Sequence, residues 1–129
     1  MRKVLFSEFK SQKKKACDCV VRSIMKVENL SWEEAYDALC VIGRKMKRMP
    51  NEREVITKML ELRGYERVGF KTEKGVKKPT VYDFAEQHPT GIYVASVTGH
   101  VVAIVNGRYY DSWDCGDSTI FSYWHKTEA

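Results

Sequence analysis

The sequence predicts an α+β domain, on three observations. Helical periodicities crowd the first half, β-branched and aromatic runs dominate from residue 92 onward, and no strand-helix-strand alternation links the two. The first helix is expected over residues 18–27, starting at Asp18. There Val20, Val21, Ile24 and Val27 form one stripe, with Arg22 and Lys26 left to water. Ser31-Trp32-Glu33-Glu34 has the form of a capping box, and Ala35, Leu39 and Ile42 continue an apolar face to an expected stop at Gly43. Asn51-Glu52-Arg53-Glu54 repeats the capping logic after Pro50, and Val55, Ile56, Met59, Leu60 and Leu62 follow before Gly64. A short strand is expected over residues 65–70, then a Lys- and Gly-rich loop to Pro79, then a short helix from Val81 to Gln87 capped by Thr80. Residues 92–97, 100–105, 108–113 and 119–124 read as strands of an antiparallel meander, separated by Thr98-Gly99, Asn106-Gly107 and the loop from Asp114 to Asp117. The expected architecture is therefore N-terminal helices packed on a C-terminal antiparallel β-sheet.

At 129 residues the chain fits one domain spanning 1–129, with a basic N-terminal arm over 1–15 and a flexible tail over 125–129. Apolar residues make up 43% and charged residues 30%, which argues against general disorder. No apolar run approaches the ~20 residues of a membrane helix, and Val4-Leu5-Phe6 is too short for a signal-peptide core. The expectation is a cytoplasmic protein with no membrane contact. The net charge of +5 gathers in lysines at 10–15 and 71–78. No stacking aromatics are interleaved with them, so they read as solvated surface charge rather than a nucleic-acid site. Four cysteines without a secretory signal are expected as free thiols. A zinc set of Cys17, Cys19, Cys115 and a histidine would need the one-residue gap of Cys17-Asp18-Cys19, unlike common structural sites. No metal and no cofactor are expected.

Asn106-Gly107 between apolar runs sets a two-residue hairpin, because both central residues must take positive φ. If Val105 pairs with Arg108, then His100 and Asp111 fall on one face as diagonal neighbours. That diagonal is roughly 7–8 Å between backbones, which a carboxylate and an imidazole can close. Asn106 lies in the turn itself, too far along the strand to orient His100. Cys19 is expected in the first turn of a helix, where unpaired N–H groups and the positive dipole end favour a thiolate. Cys17 falls before the helix and is the weaker nucleophile. Cys40, within a helix, and Cys115, in a loop, read as small buried or incidental thiols. His88 precedes a proline and His125 lies in the expected tail, so neither has an orienting acid. Singly, each of these residues suits a structural role as well; jointly, Cys19, His100 and Asp111 make the nucleophile, base and orienter of a thiol hydrolase. The Cys19 backbone N–H and the side-chain amide of Gln12 are the candidate oxyanion donors. Trp113, Tyr123 and Trp124 are expected to fill the core or a sheet face, and could line the site.

These residues carry a resemblance. The segment Asp18-Cys19-Val20-Val21-Arg22-Ser23-Ile24 is similar to the Asp-Cys-Val-Val-Arg-Ala-Ile motif of short phage and Firmicute proteins, and the stretch from Gly99 to Asp114 is similar to their second motif. The order of a helical Cys segment followed by a sheet bearing His and Asp resembles the papain-like cysteine peptidase superfamily, over nearly the whole chain. The resemblance implies a papain-like fold with Cys19 as nucleophile, His100 as base and Asp111 as orienting acid. Gln12 departs from it, standing seven residues before Cys19, further than the oxyanion glutamine of papain-like enzymes such as the bacteriocin-processing peptidases. The expected function is a small peptidase or amidase with a peptide or protein substrate. The alternative is an inactive papain-like scaffold that binds a phage or host protein through its basic surface, in the bacterial host cytoplasm if phage-encoded.

Overall fold

A computed structural model describes residues 2–10, 18–70 and 74–127. Along the chain run β1 (Phe6–Glu8), α1 (Cys19–Glu28), α2 (Trp32–Met46), α3 (Arg53–Glu61), β2 (Tyr65–Gly69), α4 (Val81–Gln87), β3 (Ile92–Val97), β4 (His100–Val105), β5 (Arg108–Asp111) and β6 (Ser122–Lys126). The fold is α+β. Each helix starts and stops for a local reason. Ser31 accepts from the Glu34 N–H while the Glu34 carboxylate takes the Ser31 N–H, the predicted capping box. Thr80 caps α4 by accepting from the Asp83 N–H. The predicted stop of α2 at Gly43 is corrected: the helix continues to Met46 and ends where Lys47 takes a left-handed conformation. Gly43 is there for closeness, since a Cβ on it would sit 2.7 Å from the Arg48 carbonyl oxygen.

The six strands form one mixed sheet in the order β1-β5-β4-β3-β6-β2. The hairpin register is the predicted one: Val105 pairs with Arg108 and Ile104 with Tyr109, around Asn106 and Gly107 at φ 49° and 80°. Two expectations about the sheet are corrected. It is not a simple antiparallel meander, because β6 pairs with β3 while β1 adds to β5 in parallel. Residues 2–10 also do not behave as an arm. Phe6 packs on Tyr109 at 5.7 Å between rings, and Lys3 accepts a 2.8 Å hydrogen bond from the Tyr82 hydroxyl. A three-residue strand that pairs a hundred positions away leaves no periodicity to read. The expected tail is corrected as well over residues 125–127. His125 and Lys126 belong to β6, His125 stacks on Tyr93, Lys126 Nζ donates to Glu28 at 2.9 Å, and the Thr127 N–H donates to the Gly64 carbonyl.

Alternating side chains of the central strands divide the core in two. Val94, Val101, Ala103 and Trp124 pack against the buried stripes of α1, α2 and α3, including Ile24, Leu39, Ile56 and Leu60. On the opposite face Tyr93, Ala95, Val102, Ile104 and Tyr109 pack against Val81, Phe84 and Ala85 of α4. The sheet is thus covered on both faces, which holds the N-terminus of α1 against β4. Ile24 is fully buried in that contact. Ile24→Val is expected to cost about 0.5–1.5 kcal/mol, read as a lower urea midpoint with unchanged slope. An unchanged midpoint would mean that α1 is not packed as described.

Candidate active site

Local sequence places three reactive groups at one end of the sheet. Cys19 opens α1, where the backbone N–H groups of the first turn have no partner within the helix. His100 opens β4 and Asp111 closes β5. The recorded β4–β5 register ends at the pair Ala103 and Tyr110, and His100 crosses the remaining gap as a diagonal neighbour of Asp111. Its Nε2–H donates to Asp111 Oδ2 at 2.5 Å. With Nε2 committed, Nδ1 is the ring nitrogen left to meet the Cys19 thiol, which is hydrogen-bonded to His100 and also receives the Val101 backbone N–H.

The second oxygen of Asp111 is equally occupied. Oδ1 accepts from Arg22 Nη1 at 2.9 Å and from the Ser112 N–H at 2.7 Å. Arg22 was expected to stay in water; it is instead 7% exposed. Its Nε donates to Asp18 Oδ1 at 2.9 Å, and Trp32 Nε1 donates to Asp18 Oδ2 at 2.9 Å. The physical reason is that the guanidinium bridges two carboxylates, Asp18 four residues earlier at the N-cap of α1 and Asp111 on β5. A charge so held can be buried where an unpaired one cannot. Asp18 therefore stands at the N-cap position, just before α1, with no side-chain cap hydrogen bond, its carboxylate being turned to Arg22 and Trp32.

Electrostatics favour an ion pair at the reacting atoms. Burial pushes the Cys19 thiol up, but the hydrogen bonds from His100 and the Val101 N–H, with the charges of His100 and Arg22, bring it below the ordinary 9.0. Burial pulls His100 down, yet the hydrogen bonds to Asp111, Cys115 and Cys19 raise it to about 11. Asp111 is held below the usual carboxylate value, against its burial, by His100 and Arg22. The contacts thus shift the pair toward thiolate and imidazolium relative to the isolated side chains, a property of the two groups together.

Thiolate grows as pH rises through the lowered Cys19 value, so the rising limb of alkylation by iodoacetamide is expected below 9.0. In His100→Gln the rising limb should move toward 9.0. A wild-type limb already at 9.0 would contradict the pair. For folding, the Asp111 contribution is lost as pH falls through its lowered value. That of His100 is complete below 6.5 and is lost as pH rises through about 11.

A second thiol lies in the cluster. Cys115 is 1% exposed and hydrogen-bonds with His100 and Asp111, so it is part of the site rather than incidental. Burial and the Asp111 charge push it above the ordinary thiol value, the reverse of Cys19, so the two thiols differ in how readily they ionise. His100, Asp111 and Cys115 offer donor atoms within 4.8 Å of one another. Asp111 is already bound to a guanidinium, a hydrogen-bond donor set and the imidazole, so a divalent cation would have to displace those partners and sit beside a fixed positive charge. The cluster suits an ionised carboxylate that orients the imidazole better than a metal.

No protein-family model, curated protein or solved structure matches this chain. His100 and Asp111 come together as the register predicts, and Cys19 meets His100 from the start of α1. Gln12 and Cys17 lie outside the described residues. Trp113 is exposed and tilts over His100 at 5.4 Å between rings, whereas Trp124 is buried at the floor of the cleft. Tyr123 packs on Phe70 and Phe84, on the α4 side of the sheet. Sequence reasoning missed Arg22, Asp18 and Cys115. Asp18 and Arg22 stand four apart on a helix, a readable charge pair; nothing near Cys115 in sequence announces its place.

The cleft itself is a hollow of about 340 Å³ lined by Cys19, Asn51, Arg53, Val97, His100 and Trp124, among others. A more apolar hollow of about 310 Å³, with Trp32, Tyr36, Leu39 and Met49, adjoins it through shared Val20 and Asn51. Among the described residues no helix is long and apolar enough to cross a membrane.

Proposed function

We propose that this chain is a small thiol hydrolase, a peptidase or amidase of papain-like type, acting on a peptide or protein substrate in the cytoplasm. The observation that carries the reading is the chain of contacts from Cys19 through His100 to Asp111, beside an open cleft. A helix bearing the nucleophile, laid against the strand bearing the base, supports the papain-like assignment as well.

The Cys19 thiolate attacks the substrate carbonyl carbon, forming a C–S bond and moving the π electrons onto oxygen. The Cys19 backbone N–H, in the first turn of α1, would be a donor to that oxyanion. His100 gives its Nδ1 proton to the leaving nitrogen as the C–N bond breaks, which leaves a thioester on Cys19 and a neutral imidazole. A water then gives its proton to His100 and its oxygen to the acyl carbon, and the acid leaves with thiolate and imidazolium restored. Asp111 keeps the ring oriented throughout, and Arg22 keeps Asp111 ionised.

Trapping tests this directly. Acid-quenched mixtures of the protein with a peptide library should contain an acyl adduct on the Cys19 peptide that hydroxylamine removes. If no adduct forms on Cys19 and cleavage is not lost in Cys19→Ala, the assignment is wrong.

A further inference from the structure

The cleft has a cationic end that the reaction at Cys19 does not use. Arg53, the first residue of α3, lines the hollow that holds Cys19 and His100. It also lines a neighbouring hollow of about 350 Å³ together with Glu54, Thr57 and Arg67. Arg67 stands opposite Trp124 in the β2–β6 pair, with its guanidinium 6.0 Å from that ring, and donates to Ser122 Oγ at 3.1 Å. Trp124, the floor of the Cys19 hollow, donates its Nε1–H to Thr57 Oγ1 at 3.1 Å. The two arginines thus share the ground around one tryptophan.

Neither arginine has a carboxylate partner among the described residues. The acids next to Arg53 in sequence, Glu52 and Glu54, are both held by Arg48, at 3.3 and 3.5 Å. A planar guanidinium without an acid, at the wall of a cleft, is matched to a carboxylate. In an unmodified peptide the anionic groups are carboxylates, from acidic side chains and from the C-terminus.

We propose that Arg53, backed by Arg67, binds a substrate carboxylate, so that the preferred substrates carry an acidic side chain or a free C-terminal carboxylate near the bond attacked by Cys19. This rests on the hydrolase reading, because it assigns a specificity to that site.

The test uses alkylation, in which the Cys19 thiolate forms a C–S bond and bromide leaves. Three probes are compared: bromoacetyl-Gly-Glu-amide, bromoacetyl-Gly-Gln as free acid, and the neutral bromoacetyl-Gly-Gln-amide. At low salt at least one acidic probe is expected to label Cys19 about threefold to tenfold faster than the neutral one, the size of one or two exposed ion pairs. Arg53→Gln should remove most of that advantage and Arg67→Gln a smaller part, read as the ratio of acidic to neutral labelling within the same variant, with an unchanged urea midpoint reporting that the variants are folded. Lys45→Gln, which removes an exposed charge on α2, should leave the ratio intact and so excludes general attraction by the basic protein. Whichever acidic probe is favoured tells a side-chain carboxylate from a terminal one. Equal rates for all three probes, or an advantage that survives Arg53→Gln, overturn the proposal. Labelling needs no acyl-enzyme, so a protein that discriminates charge but never acylates fails only the hydrolase reading. A turnover enzyme with no charge preference fails only this one.

Discussion

Alanine at Cys19, at His100 or at both is expected to leave peptide hydrolysis about 10⁴-fold or more below wild type, with the double variant no worse than the poorer single one. In the proposed mechanism the two groups act as one unit. Without the sulfur there is no atom to carry the acyl group, and without the imidazole the thiol loses the partner that holds it as thiolate and the leaving nitrogen loses its proton donor. The losses therefore do not add, as they would for two independent contributions. Steady-state kcat/KM on one peptide across wild type, both single variants and the double variant is the measurement. Losses that multiply, or a His100→Ala variant within tenfold of wild type, would break the unit apart. Asp111→Asn should fall between, since the amide keeps a hydrogen-bonding group near Nε2 while removing the charge that raises His100.

Arg22→Met should be the most costly single substitution for stability at this site, at about 3–5 kcal/mol. Arg22 is 7% exposed and Asp111 is 1% exposed, so removing the guanidinium leaves Asp111 and Asp18 with uncompensated buried charge. Measured against the 5–15 kcal/mol typical of a domain, the loss is large enough to show as a much lower denaturation midpoint. Arg22→Lys should be intermediate, since one ammonium cannot bridge both carboxylates as the forked guanidinium does. The variant also carries a chemical signature. With Arg22 gone, Asp111 loses a group that holds it ionised, and the Cys19 thiolate loses a nearby positive charge. The acid limb of Cys19 alkylation should move to higher pH in whatever fraction remains folded. Stability and alkylation profile both matching wild type would show that the network is incidental.

Much of this site could be read before any coordinates. The Asn106-Gly107 turn fixes a two-residue hairpin, and counting back from it puts His100 and Asp111 on one face; both the pairing of Val105 with Arg108 and the contact at 2.5 Å agree. Cys19 at a helix start was likewise visible, because helical spacing in residues 20–27 marks where α1 must begin. Arg22 was misread for an instructive reason. Periodicity assigns a charged side chain to water by default, and it cannot see a carboxylate that comes from 89 positions away. β1 and the β6 strand end escaped for the same cause, since their partners lie far off in sequence.

What the amino-acid order determined alone is local: where helices begin, the hairpin turn and its register, and the alternation that gives β3 and β4 two apolar faces. Those depend on interactions within a few residues, whose geometry backbone sterics set. Only the tertiary structure decided that the start of α1 lies against β4, that Arg22 is buried between Asp18 and Asp111, and that Cys115 and Cys19 share one imidazole while burial and charge push their thiols in opposite directions. Such contacts exist because core packing on both faces of the sheet brings distant segments together, and in that low-dielectric setting each charge takes its state from neighbours the local sequence does not contain.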